Sequence, residues 1–254
     1  MNDSTAHIDF DIIVNQAARY GADHGIAPDE VFEHIHLLIE EWLEPIADRV
    51  STEEYKLYRS CPRDQNYRRL FLPTYKANRD KADPTEEDQR RADMIRLAWE
   101  YAHDTFQIES HPFAEADDLL KSEARPGDIL VTIDKDLRTL PGWHFNPRKD
   151  RGPVFVGDDE ASYNLHCQWL VGDSTDNISG CPKIGPIKAK RLLDETLKEG
   201  GSLAEACMEA YSRAGCSKWF ALSQWIAVKI NPQIVSGTIP LPDTEKAHSL
   251  MIPL

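Results

Sequence analysis

The chain has 254 residues, 41% of them hydrophobic and 28% charged, which suits one globular domain or a domain with a small annex. No apolar run approaches the roughly 18 residues that a membrane span needs, so no membrane association is expected. The formal net charge of −14 argues by itself against a nucleic-acid binder, since such domains are usually basic.

The first residues, MNDSTAHIDFDII, lack a basic region ahead of an apolar core, so no signal peptide is expected. The five cysteines are scattered and form no CxxC pair, which points to a reduced, cytoplasmic setting.

His7 to Val14, HIDFDIIV, reads as a short buried strand carrying Asp9 and Asp11. Aspartate is depleted in strands, so one placed there is a candidate site residue; the plainer alternative is an exposed strand end. Residues 28–47 set Val31, Ile35, Leu38, Ile39, Trp42 and Leu43 at helical spacing with one buried face. His34 and His36 lack a further ligand at helical spacing and read as structural or exposed. Residues 54–60 make a weak second strand. A basic stretch follows, with Arg59, Arg63, Arg68, Arg69, Lys76, Arg79 and Lys81. Residues 83–106 read as a charged helix buried along Met94, Ile95, Leu97, Ala98, Trp99 and Ala102. Acids such as Glu40, Glu41, Glu44, Glu86, Glu87 and Asp88 read as solvated helix faces.

A different pattern appears at Glu115, Asp117 and Asp118, three carboxylates within four residues at a helix start. Glu115 and Asp118 would share a face there. Like charges so close repel unless a cation sits among them, although acids also cap helix N-termini. Residues 128–136, DILVTIDKD, form an apolar strand ending in Asp134 and Asp136. In a parallel sheet flanked by helices, such carboxy ends open on the active crevice. Residues 143–156 read as a hairpin with Arg148, Lys149 and Arg151.

In residues 171–193, Asp173 and Asp176 sit three apart beside Gly172, followed by a turn with Gly180, Pro182, Gly185 and Pro186. Then 187–193 reads as a helix with a basic face of Lys188, Lys190 and Arg191. Backbone amides in such a turn can cradle phosphate, aided by the helix dipole; the alternative is an ordinary loop between helices. Helices are expected at 203–213 and 219–229, and an irregular tail from Asn231. There are no internal repeats or low-complexity segments.

The strings GDSTDNISG and KIGPIKA resemble the helix–three-turn–helix of the flap endonuclease/5′–3′ exonuclease superfamily. LPTYKANRD, FAEADDLL and IDKD resemble further motifs of that superfamily, in the same order, and phage-encoded members match best. The resemblance runs from Asp9 to about Leu193. It implies an α/β fold with a mainly parallel sheet flanked by helices, as in PIN-like 5′ nuclease cores. The implied core spans 1–165, with a helical arch at about 62–110. A helix–three-turn–helix subdomain and tail would occupy 166–254.

The activity implied is that of a metal-dependent 5′–3′ exodeoxyribonuclease on duplex DNA, monomeric, and in the host cytoplasm if phage-encoded. By resemblance, Lys76 and Arg79 meet the scissile phosphate and DNA backbone. Asp9, Glu115, Asp117, Asp118, Asp134, Asp136, Asp173 and Asp176 bind two Mg²⁺ or Mn²⁺ ions. Lys183, Gly185, Lys188 and Lys190 grip the duplex, and a K⁺ ion sits at the helix–three-turn–helix. The chemistry agrees: an all-oxygen donor set suits hard divalent ions, and there is no Cys/His set for zinc. Two such ions roughly 4 Å apart can activate water and stabilise a leaving oxygen.

Three features depart from the family pattern. Lys183 replaces the first glycine of the G-I-G-P turn. Counting fifteen residues back from Lys76, Cys61 stands where an aspartate usually ends the second strand, and Asp64 lies three residues further on. One metal would then lack a hard ligand. The helix between Asp118 and the next strand is shorter than usual. Two rival readings follow: a structure-specific flap endonuclease or RNase acting on RNA–DNA hybrids, or a non-catalytic DNA-binding relative marked by Cys61.

Overall fold

The computed structural model describes residues 4–79 and 83–236. Asp80 and Lys81 of the basic stretch, and the tail beyond 236, lie outside the described residues. The chain begins β1 (Ser4–Asp9), α1 (Phe10–His24), α2 (Pro28–Leu43) and β2 (Val50–Arg59). Next come α3 (Arg68–Phe71), α4 (Glu86–Thr105), β3 (Ile108–Ser110), α5 (Ala116–Glu123) and β4 (Ile129–Val131). β5 (Gly142–Phe145), β6 (Val154–Val156), α6 (Asp158–Val171) and α7 (Pro186–Lys198) follow. The described chain closes with α8 (Leu203–Arg213), α9 (Lys218–Val228) and α10 (Pro232–Val235). Among the described residues no helix is long and apolar enough to cross a membrane.

The chain forms two compact units. The first comprises the described residues of Met1–Cys61, Lys81–Leu137 and Gly142–Val156; the second, those of Pro62–Asp80, Arg138–Pro141 and Gly157–Leu254. The expected division into 1–165 and 166–254 differs from this. Residues 62–79, expected as the start of an arch on the core, cluster with the C-terminal unit.

The first unit is built on a six-stranded sheet in the order β3-β2-β1-β4-β5-β6. Every pairing is parallel except β5 with β6. β1 is buried along Ala6, His7, Ile8 and Asp9, the continuous burial of a strand covered on both faces. The expected strand over HIDFDIIV stops at Asp9, and Phe10 already begins α1. The reason is periodicity: Phe10, Ile13, Val14, Ala17, Ala18 and Gly21 recur at helical spacing, and all are buried. Asp11 therefore lies in the first turn of α1, not in a strand. β2 is longer than its weak hydrophobicity suggested, and the strand expected over 128–136 shortens to Ile129–Val131.

α4 starts at a capping box between Thr85 and Asp88 and packs along α1 and α2. Trp99 meets Phe10 edge-on at 5.7 Å between ring centres. Ala98, Trp99 and Ala102 are buried as expected, while Met94 and Ile95 pack partly against the core.

The second unit is helical. α6, α7, α8 and α9 enclose Trp169, Leu193, Cys207 and Tyr211. The Trp169 indole donates to the Ala221 carbonyl at 2.8 Å, so its polar edge is satisfied inside the core. α8 coincides with the expected 203–213, and α9 is shifted by one residue from 219–229.

Candidate functional site

In the first unit the strand order runs outward from β1 in both directions, through β2 and β3 on one side and β4 and β5 on the other. The point between β1 and β4 is thus a topological switch, where open α/β sheets leave a crevice at the carboxy ends. Asp9 ends β1, and Ile8 pairs with Val131, so Thr132 stands level with Asp9 across this point.

A chain of hydrogen bonds connects the two strand ends. Thr132 Oγ1 donates to Asp9 Oδ2 at 3.3 Å and accepts from the Asp134 N–H at 3.1 Å. The Asp136 N–H in turn donates to Asp134 Oδ1 at 2.9 Å. Asp9 is buried, Asp134 exposed and Asp136 half-buried, past the strand in the 3₁₀ turn Lys135–Thr139. Thr132 lies within DILVTIDKD, and its position two residues before Asp134 is the one signal of its part here that the sequence carries.

Glu115 and Asp118 form a reciprocal capping box at the start of α5. The Glu115 N–H donates to Asp118 Oδ2 at 3.1 Å, and Asp118 is fully buried. The plain capping alternative is therefore realised for both Glu115 and Asp118, while Asp117 stays half-buried in the same turn. Ser60 ties α5 to α1. Its N–H donates to Asp11 Oδ2 at 2.9 Å, and its Oγ accepts from the Ala116 N–H at 3.0 Å. Burial pushes the Asp11 carboxyl above its ordinary value; Ser60 and Arg59 oppose this, and the Glu115 charge adds to it. Cys61 lies two residues past β2, its N–H bonded to the Ala114 carbonyl at 2.9 Å. It thus sits at the carboxy end of the second strand, beside the Glu115 turn.

The second unit carries Asp173 and Asp176 on the loop between α6 and α7. Asp173 and Ile178 bond each other across the loop base at 2.9 and 2.7 Å, and the Thr175 N–H donates to Asp173 Oδ1 at 2.7 Å. Gly172 and Gly180 meet back to back. A Cβ on Gly172 would lie 2.3 Å from the Ile178 oxygen, and one on Gly180 2.5 Å from the Gly172 nitrogen. Both have positive φ, so this turn accepts only glycine at its ends.

Lys76 and Arg79, expected at a scissile phosphate, gather on Asp176. Lys76 Nζ lies 3.6 Å from its carboxylate, and Arg79 also pairs with it. Tyr75 donates its hydroxyl to Asp176 Oδ2 at 3.1 Å, a partner that sequence reading gave no role. The Lys76 N–H donates to the Asp176 carbonyl at 2.9 Å, and Asn78 donates to the Ser174 carbonyl at 2.9 Å.

Lys183 adopts φ 65°, the left-handed conformation that glycine would take without strain. Lys188 Nζ donates to its carbonyl at 3.0 Å. Gly185 is the N-cap of α7 with Pro186 following, and Lys183, Gly185, Lys188, Lys190 and Arg191 are all exposed. Among the described residues no three His, Cys, Asp or Glu side chains stand close enough to hold a metal ion together.

No protein-family model matches the chain. DNA polymerase I of Rhizobium leguminosarum is 33% identical over 146 residues, 52% of this chain. The match spans only 14% of that polymerase's length. The structure of bacteriophage T5 5′-exonuclease with bound zinc ions superposes with a TM-score of 0.67, at 18% identity, over 92% of each chain. A variant T5 flap endonuclease, crystallised as a pseudo-enzyme–product complex with DNA and metal ions, gives 0.66 at 18% identity, over 92% of this chain and 91% of that one. This chain therefore resembles the phage-type 5′–3′ exonucleases of the flap endonuclease superfamily in fold as well as in its motif strings.

Proposed function

We propose that this protein is a divalent-metal-dependent 5′ nuclease that hydrolyses duplex DNA from 5′ ends. The observation that carries the reading is the linked pair of strand ends at the switch point, where Asp9, Thr132, Asp134 and Asp136 form one hydrogen-bonded series. The solved relatives with bound zinc, or with DNA and metal ions, support it.

We assign Asp9, Glu115, Asp117, Asp134 and Asp136 of the first unit to divalent ions that would have to draw them together, since among the described residues no three such side chains stand close enough in this structure; Asp118 buttresses Glu115. Asp173 and Asp176 of the second unit are donors of the same kind. Their all-oxygen chemistry fits Mg²⁺ or Mn²⁺. When bound, such ions lower the pKa of a coordinated water and offset charge on the phosphate. Lys76 and Arg79 neutralise Asp176 in this structure. We assign them a second role, meeting the phosphate as charge builds there. Lys183, Lys188, Lys190 and the open N-terminus at Gly185 would hold the duplex backbone without reading bases. This accounts for DNA binding by a net-acidic chain.

A flap endonuclease activity is the second reading, favoured by the flap endonuclease among the solved relatives. Digestion of 5′-labelled and 3′-labelled duplexes, with Mg²⁺ and with EDTA, tests the first. We expect 5′ label to be released first and only with metal. Equal activity in EDTA, or earlier release from 3′ ends, would sink it. Cleavage confined to flap junctions would favour the second reading.

A further inference from the structure

We propose that Gln224 on α9 is a positioning residue for the Asp173–Asp176 loop, fixing those carboxylates for the nuclease chemistry proposed above, on which this role rests. Gln224 is fully buried in a helix whose sequence, KWFALSQWIAV, is otherwise mostly apolar. A buried amide is costly unless hydrogen-bonded. Its Oε1 accepts from the Gly180 N–H at 3.1 Å and from Ser179 Oγ at 3.2 Å. Gly180 is the residue whose backbone abuts Gly172, immediately before Asp173. One side-chain oxygen thus binds the closing end of the carboxylate loop.

The same helix anchors the start of the segment that carries the loop's cationic partners. At its C-terminal end, the Ala227 and Lys229 carbonyls accept from Arg68 Nε and Nη2 at 3.2 and 3.1 Å. Arg68 is 3% exposed and begins the segment leading to Tyr75, Lys76 and Arg79, which close on Asp176. α9 therefore sets both the aspartate loop and the segment that neutralises it.

The test uses the full chain with Gln224→Met, which keeps volume but removes the acceptor, and Gln224→Glu, which keeps the acceptor. Hydrogen exchange of the amides in 172–180 should rise on the order of 10-fold in the methionine variant, with α6 and α7 unchanged. The Mg²⁺ concentration for half-maximal cleavage should rise by a similar factor, while duplex binding in EDTA stays within about twofold. The glutamate variant should recover both. Unchanged loop exchange in Gln224→Met, or a glutamate variant as impaired as the methionine one, overturns the role. If the parent protein does not cleave DNA, the nuclease reading fails, and loop exchange still decides the clamp. Should Gln224→Met not fold, Ser179→Ala removes one of the two bonds. It should give the same pattern at smaller size, and no change in it overturns the role.

Discussion

The acidic residues look alike in sequence and have different tasks in the fold. Asp118 is fully buried and accepts a hydrogen bond from the Glu115 N–H, so Asp118→Ala should cost on the order of 2 kcal/mol of stability. Asp134 is exposed and accepts only the Asp136 N–H among the bonds described for its side chain. Asp134→Ala should therefore leave folding and DNA binding intact while lowering cleavage by about 100-fold or more. Circular dichroism, gel shift and a rate assay separate the two; joint loss of fold and binding in Asp134→Ala would count against its assignment. Cys61 poses a finer question. A neutral thiol is a poor partner for Mg²⁺, and softer ions tolerate sulfur better. Cys61→Asp should lower the Mg²⁺ needed for half-maximal rate and weaken any preference for Mn²⁺. Coincident titration curves for both proteins and both metals would place Cys61 outside the site.

At the scale of elements, the turn into α7 stores a small strain. Lys183 sits at positive φ, where a non-glycine residue costs roughly 1–2 kcal/mol. Lys183→Gly should relieve part of that, raising stability by up to about 1 kcal/mol in a denaturant titration. If Lys183 grips phosphate, the same change should weaken duplex binding and reduce its salt slope by about 0.9. A gain in stability with an unchanged slope would leave Lys183 a strained surface residue only. Lys188→Glu with Lys190→Glu, on the exposed face of α7, should weaken binding to duplexes of any sequence and flatten the slope further. An unaltered slope would show that this face does not meet DNA.

At the scale of the molecule, acid should unfold it early, because both units bury a histidine. His7 lies among Tyr58, Asp128, Glu123 and Lys56; burial pushes its pKa down, with Asp128 opposing. His166 is likewise lowered by burial. A depressed histidine pKa means that the unfolded chain binds the proton more readily. The stability contribution is thus complete above the ordinary value of 6.5 and lost as pH falls through it. Each histidine can cost up to about 1.4 kcal/mol per pH unit in that window. Thermal unfolding between pH 8 and 5 checks this, with Tm flat above neutrality and falling below about 6.5. A Tm independent of pH down to 5 would mean that both sites accommodate the proton.

The sequence by itself determined the candidate acids, the glycine ends of the GDSTDNISG loop and the basic turn, since each rests on local chemistry or short spacing. It also determined most helices, because an amphipathic period is written along the chain. The boundary inside HIDFDIIV was hidden, since a short apolar run serves a strand or a helix equally well until its neighbours are known. Only the tertiary structure decided that Thr132 joins Asp9 to Asp134, that Tyr75, Lys76 and Arg79 gather on Asp176, and that Gln224 holds Gly180. Those contacts join residues far apart in the chain. No local pattern encodes a hydrogen bond whose partners are brought together by strand order and helix packing.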